Sequence, residues 1–228
     1  MDISLHYSEA GTGFPLILLH GNNGNLHYFE GQIPIFAREY RVLAVDTRGH
    51  GESPRGDGAF TISRFADDLL NFFREHGIRK AHLLGFSDGA NIALIFALRH
   101  PEMVEKLILN GGNLTPRGIR YRTQLPIEAE YRRRKRQEYG GAASASTEML
   151  GLMVLEPKLK PKHLKRLSVP TLVIAGVHDM VKAAETRRMA RALPCSELVI
   201  QKGDHFIAQK HPEPFNRAVL DFLQKRKG

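Results

Sequence analysis

The sequence predicts an α/β fold, a mostly parallel sheet with helices on both faces. Three observations carry that prediction. Short apolar runs alternate along the chain with segments of helical periodicity. The run Leu16-Ile17-Leu18-Leu19 is continuously apolar, as strands buried on both faces are. Ser87, Asp179 and His205 each stand shortly after such a run, at the carboxyl ends of strands, where parallel sheets place their sites.

In chain order, a first short strand is expected over residues 3–8. Leu16-Ile17-Leu18-Leu19 reads as a buried strand that stops at His20-Gly21, and Tyr40 to Val45 as a strand that stops at Asp46. Residues 61–76 set Ile62, Phe65, Leu69 and Phe73 at helical spacing, with Thr61 or Ser63 as cap and Gly77 as terminator. Ala81-His82-Leu83-Leu84 is a strand and residues 90–98 a helix. Strands over residues 104–109, 169–175 and 198–200 and a closing helix over 212–226 complete the alternation. Residues 1–112 and 169–228 then form the core, and residues 113–168 an insert.

At 228 residues the chain is long enough for one domain with a large core. Its 42% hydrophobic and 25% charged residues suit a soluble globular protein and argue against disorder. Met1-Asp2-Ile3-Ser4 lacks a basic stretch followed by an apolar one, and no run approaches the roughly 18 residues of a membrane span. Cys195 is the sole cysteine, which excludes an intrachain disulfide and makes a cytoplasmic location the default expectation. It lies far from the other motifs and reads as a bystander.

The most informative motif is Gly85-Phe86-Ser87-Asp88-Gly89, between a strand and a helix. Small residues on both sides let the backbone turn sharply and lift the serine hydroxyl out of the sheet. At the helix start, unpartnered N–H groups can hold a developing oxyanion. A serine hydroxyl needs a base, and an imidazole near neutrality supplies one. A carboxylate fixes the imidazole tautomer. The order Ser87, Asp179, His205 fits these roles. The loop His20-Gly21-Asn22-Asn23-Gly24-Asn25 can aim the N–H of Asn22 at the point faced by the N–H of Asp88.

In these motifs, in Asp46-Thr47-Arg48-Gly49-His50-Gly51-Glu52-Ser53 and in the stretch from Val169 to Asp179, the chain resembles the α/β-hydrolase superfamily. The resemblance spans nearly everything outside 113–168. It implies the α/β-hydrolase fold and a serine hydrolase, carboxylesterase-like, that cleaves a small ester, thioester or amide through an acyl-enzyme. Implied roles are Ser87, Asp179 and His205 as the triad and Asn22 and Asp88 as oxyanion donors. Neither cofactor nor metal is expected. Members that are dehalogenases or epoxide hydrolases carry aspartate at the elbow, which Ser87 argues against. A Ser-Asp-Gly elbow is similar to that of the valacyclovir-hydrolase-like branch, which hydrolyses amino acid esters. Asp88 has two readings: a helix-start residue favoured by the macrodipole, or a partner for a substrate ammonium.

Each role has a rival. Asp204 adjoins His205, and adjacent side chains rarely face one another. His178 reads as a loop residue, and His20 as a brace for the oxyanion loop. Arg48 and His50 read as organisers of a strand end.

In the resembled family residues 113–168 carry the lid, here short, with two or three helices. Its apolar stretch, Met149 to Leu155, either roofs an acyl pocket, with Met149, Met153 and Asn23 as substrate contacts, or packs against the core. The insert holds 13 Lys/Arg against 5 Asp/Glu, so nearly all of the chain's net charge of +9 lies there. Its densest run, Arg132 to Arg136, either steers anions or is the solvated side of a helix. Few aromatics interleave it, so no nucleic-acid partner is expected. The alternative to an enzyme is a small-molecule receptor of the same fold.

Overall fold

The computed structural model describes residues 2–139 and 143–225; the ends of the core (1 and 226–228) and residues 140–142 of the insert lie outside it. The strands are β1 (Tyr7–Ala10), β2 (Phe14–Leu19), β3 (Tyr40–Val45), β4 (Ala81–Phe86), β5 (Val104–Asn110), β6 (Thr171–Gly176) and β7 (Ser196–Gln201). The helices are α1 (Ile33–Phe36), α2 (Ile62–Glu75), α3 (Asp88–Arg99), α4 (Tyr121–Gln137), α5 (Ala145–Leu155), α6 (Pro161–Leu164), α7 (Ala183–Ala192), α8 (Ile207–Lys210) and α9 (Pro212–Gln224).

The strands form one sheet in the order β1-β3-β2-β4-β5-β6-β7, parallel except for β1. Alternate residues of β2 serve opposite faces. Ile17 and Leu19 join a core layer with Phe65, Leu69 and Phe73 of α2 and Phe96 of α3. Leu16 and Leu18 join the layer of Phe36 of α1 and Phe215 and Val219 of α9. Both faces of β2 are therefore covered, which is why its sequence is unbroken apolar. After β2 the chain turns to one side for β3 and then crosses back for β4. The crevice of such a switch point opens between β2 and β4, and both strands end there in polar loops.

Several boundaries differ from the sequence reading: β2 begins at Phe14, β4 runs on to Phe86, α3 spans Asp88–Arg99, and β7 spans Ser196–Gln201 rather than residues 198–200. The first strand is Tyr7–Ala10 rather than residues 3–8. Ahead of it, Asp2 is held by the Arg48 side chain, and His6 donates its N–H to Ser53 Oγ and accepts from the N–H of Asp46. The sixth strand starts at Thr171, after Pro170, whose missing N–H cannot extend the pairing. Thr61 caps α2 by accepting from the N–H of Arg64 at 3.0 Å, and Gly77 follows its end at φ +61°. The described part of the closing helix ends at Gln224; residue 226 lies outside the described residues. The insert between β5 and β6 holds α4, α5 and α6, with Leu152 and Leu164 packed into the core layer of α2 and α3.

Candidate active site

Ser87 sits between β4 and α3 at φ +54°, ψ −117°, a left-handed conformation that a serine adopts only when its surroundings impose it. The N–H of Ser87 donates to Asn110 O at the end of β5 (2.8 Å), and its carbonyl accepts from Ala90 and Asn91 in the first turn of α3. A Cβ on Gly89 would lie 2.1 Å from Leu19 O, and one on Gly85 would lie 2.2 Å from Gly89 O. The tight approach of helix to sheet is what requires glycine on both sides.

His205 follows β7 and is 4% exposed. Its Nε2 lies 3.0 Å from Ser87 Oγ, and its Nδ1 lies 2.7 Å from Asp179 Oδ1. Asp179, 2% exposed, also accepts from the N–H of Val181 at 2.8 Å. Arg120 Nε donates to the carbonyl of Asp179 (2.7 Å), which ties the acid's loop to the start of α4. Gly111, at φ +64°, passes so near that a Cβ would lie 2.7 Å from His205 Cε1. Phe86 and Phe206 flank the imidazole, with ring centroids 4.8 and 5.5 Å away. Asp204 faces elsewhere: it pairs with Lys210 and accepts from the N–H of Phe206. His178 is exposed.

The loop after β2 lies opposite. His20 Nδ1 donates to Gly21 O at 2.7 Å, and Nε2 accepts from the N–H of Thr47 at 3.0 Å. Burial pushes this imidazole down to about 4, so it is neutral near pH 7 and braces the loop. Among the described residues, the backbone N–H groups of Asn22 and Asp88 have no acceptor. Both belong to segments beside Ser87.

The side chains of these two residues make a contact that the sequence reading missed. Asn22 Nδ2 donates to Asp88 Oδ2 (2.8 Å) and to Met149 O on α5 (2.9 Å). Asn91 Nδ2 lies 3.4 Å from the other oxygen of Asp88. The Asp88 carboxyl is 8% exposed, and burial raises its pKa despite both amide donors. Its partners are amides, and no cation lies among them. Asn91 reaches Asp88 from the next turn of α3, but Asn22 comes from a loop 66 positions away, and that contact leaves no periodic trace in a sequence.

Asn23 is exposed at the apex of a turn at φ +54°, and its side chain makes no hydrogen bond among the described residues. Met149 packs partly against the core, and Met153 offers its carbonyl to Gln124 Nε2 at 3.2 Å. Nearby, Arg48 is 1% exposed and spans two carboxylates, Asp68 (2.7 and 2.5 Å) and Asp2 (2.7 and 2.9 Å). Asp46 accepts from the N–H groups of Leu26 and Glu52 at 2.7 and 3.0 Å, joining the loops after β2 and β3. These residues brace the strand ends.

A model of the family described as alpha/beta hydrolase fold matches residues 15–139. The chain belongs to this family. A 2-hydroxy-6-oxononadienedioate/2-hydroxy-6-oxononatrienedioate hydrolase of Burkholderia vietnamiensis is 30% identical to this alpha/beta hydrolase, covering 98% of the chain and 92% of the relative. A counterpart from Pseudomonas putida is 29% identical over 271 positions, with 98% and 93% covered. That alignment is longer than the chain's 228 residues, so the relative carries segments with no counterpart here. Among solved structures, a thermophilic esterase from Thermogutta terrifontis is 26% identical and superposes with a TM-score of 0.79 over 97% of this chain and 93% of its own.

Proposed function

We propose that this alpha/beta hydrolase is a serine hydrolase cleaving a small acyl compound, an ester, thioester or amide. The observation that carries the reading is the hydrogen-bonded row from Ser87 Oγ through His205 to Asp179 Oδ1, 3.0 and 2.7 Å long, at the strand ends. In this reading Ser87 Oγ attacks the acyl carbon while its proton passes to His205 Nε2. The carbonyl oxygen, now anionic, takes hydrogen bonds from the N–H groups of Asn22 and Asp88. Collapse expels the leaving group, which receives the proton from His205. A water then gives a proton to His205 and attacks the acyl-enzyme, releasing the acid and restoring Ser87. Asp179 keeps Nδ1 protonated and steadies the imidazolium. The Asp88 carboxyl, as distinct from its N–H, acts through Asn22 and positions it.

Turnover of p-nitrophenyl acetate and butyrate by wild type and Ser87→Ala tests the proposal. Multiple turnover that the variant loses supports it. A single acylation without turnover in wild type points instead to a receptor of the same fold.

The names of the two relatives favour a second substrate class, an unsaturated oxo-dicarboxylate. The same row of residues serves it. Comparing kcat/KM for such a dioate with that for simple esters separates the two.

A further inference from the structure

A sizeable cavity lies away from Ser87. It has a volume of about 780 Å³, within the roughly 300–1,000 Å³ of small-molecule pockets. It opens between α4, the end of α5 and the turn at residues 115–119. Neither Ser87, Asp179 and His205 nor Asn22 and Asp88 line it. Its apolar wall is built from Ile119, Val154, Leu155 and Leu159. Leu155 is 47% exposed there, and Tyr121 70%, which is unusual for large side chains with so much apolar core available.

The rim is cationic. Arg117, Lys158, Lys160 and Lys182 all border the cavity, and all are exposed. Lys182 Nζ donates to the carbonyl of Arg117 (2.7 Å), which leaves its charge uncompensated. Among the described residues none of the four is paired with a carboxylate. The single acid of the lining, Glu128, is already paired with Arg132 at 3.0 Å. On α4, by contrast, Arg132, Arg133 and Arg134 all have glutamate partners. Four like charges held around an apolar hollow repel one another, and an anion between them relieves that repulsion.

We propose that this cavity binds a single-chain amphiphilic carboxylate. Its alkyl part lies on Ile119, Val154 and Leu155, and its head group among Arg117, Lys158, Lys160 and Lys182. The apolar wall gives affinity for the chain, and the rim selects the charge. The site does not depend on whether Ser87 reacts. It does share a wall with the acid's loop: Ile119 bridges Val181, and the N–H of Arg120 donates to Met180 O at 2.7 Å.

The test is calorimetric titration of the full chain with decanoate, kept below its micelle concentration. Saturable binding is expected, at least tenfold tighter than for decan-1-ol and weakened by added salt. Arg117→Gln/Lys158→Gln should weaken it at least tenfold with the melting temperature unchanged, since these side chains make no contacts that the fold needs. Leu155→Gln should weaken it too. Binding should persist in Ser87→Ala and after phosphonylation of the wild type with an alkyl phosphonate. Absence of binding, equal affinity for decanoate and decan-1-ol, or indifference to the double substitution would overturn the proposal. Loss of binding on phosphonylation would overturn it as well, because the acid would then occupy the cleft at Ser87.

Discussion

The loops at the strand ends and the insert between β5 and β6 are both rich in polar side chains, yet they settle them differently. At the strand ends several are buried and held by partners: Arg48 by Asp68 and Asp2, His20 by Gly21 and Thr47, His205 by Asp179. On the insert Gln124 and Thr147 are buried, but the charged side chains are exposed or half-exposed. There Arg132, Arg133 and Arg134 of α4 pair with glutamates one turn away, and the cations around the outer cavity pair with none of the described acids. Removing a partner from a buried group strands a charge or donor where water cannot replace it. Removing an exposed one lets water take its place. Position rather than charge count therefore decides which residues matter.

Substitutions can break or sharpen this contrast. The largest effect is expected from Ser87→Ala, which should lower kcat on p-nitrophenyl esters by on the order of a millionfold while the urea midpoint stays within error. Retention of a few per cent of activity would remove Ser87 from its proposed role.

Asp179→Asn should lower kcat by about 10⁴-fold with little change in KM, because Nδ1 of His205 would lose its acceptor. Asp204→Asn, whose partner is Lys210 on the surface, should cost less than tenfold. A reversal of the two would transfer the acid's role to Asp204.

Arg48→Met tests burial without touching the triad. It leaves the Asp68 carboxylate without its cation and should destabilise the fold by about 3–5 kcal/mol in urea unfolding. A change below about 1 kcal/mol would mean that Asp68 reaches water and that the contrast between regions is weaker than drawn.

His20 gives the pH dependence. Its imidazole is held at about 4 in the fold, against 6.5 for the ordinary group. The folded state therefore binds fewer protons than the unfolded one between those values. The stabilisation is complete above about pH 6.5 and is lost as pH falls towards 4, up to on the order of 3 kcal/mol. Unfolding of wild type and His20→Asn across that window measures it. A slope equal in both would sink the assignment, as would an NMR titration of His20 near 6.5.

The smallest effect belongs to the insert. Replacing Arg132, Arg133 and Arg134 together with glutamine should change kcat/KM for neutral esters by less than about threefold, because exposed charges are screened within roughly 8–10 Å at physiological salt. A greater loss with a neutral ester would place these arginines at the substrate's path.

Much of this was legible in the sequence because it is local. A strand covered on both faces is apolar over most of its length, so β2 and the runs Val42 to Val45 of β3 and Leu107 to Leu109 of β5 announce themselves. The elbow is legible because a tight turn admits few residues at 85 and 89. The spacing of Ser87, Asp179 and His205 is legible because parallel strands deliver loops to one edge. The first strand was misplaced because Ile3 and Leu5 are apolar, yet the register with β3 begins only at Tyr7, with the N–H of Asp46 donating to the carbonyl of His6 just ahead of it.

What the sequence by itself determined is the order of strands and helices, the family and the residues carried to the strand ends, all functions of short-range pattern. Tertiary structure decided which distant groups meet: Asn22 between Asp88 and Met149, Arg48 between Asp2 and Asp68, and the cations gathered around the outer cavity. Those pairings join residues up to 127 positions apart in the chain. They depend on where whole loops pack, and no periodicity records that.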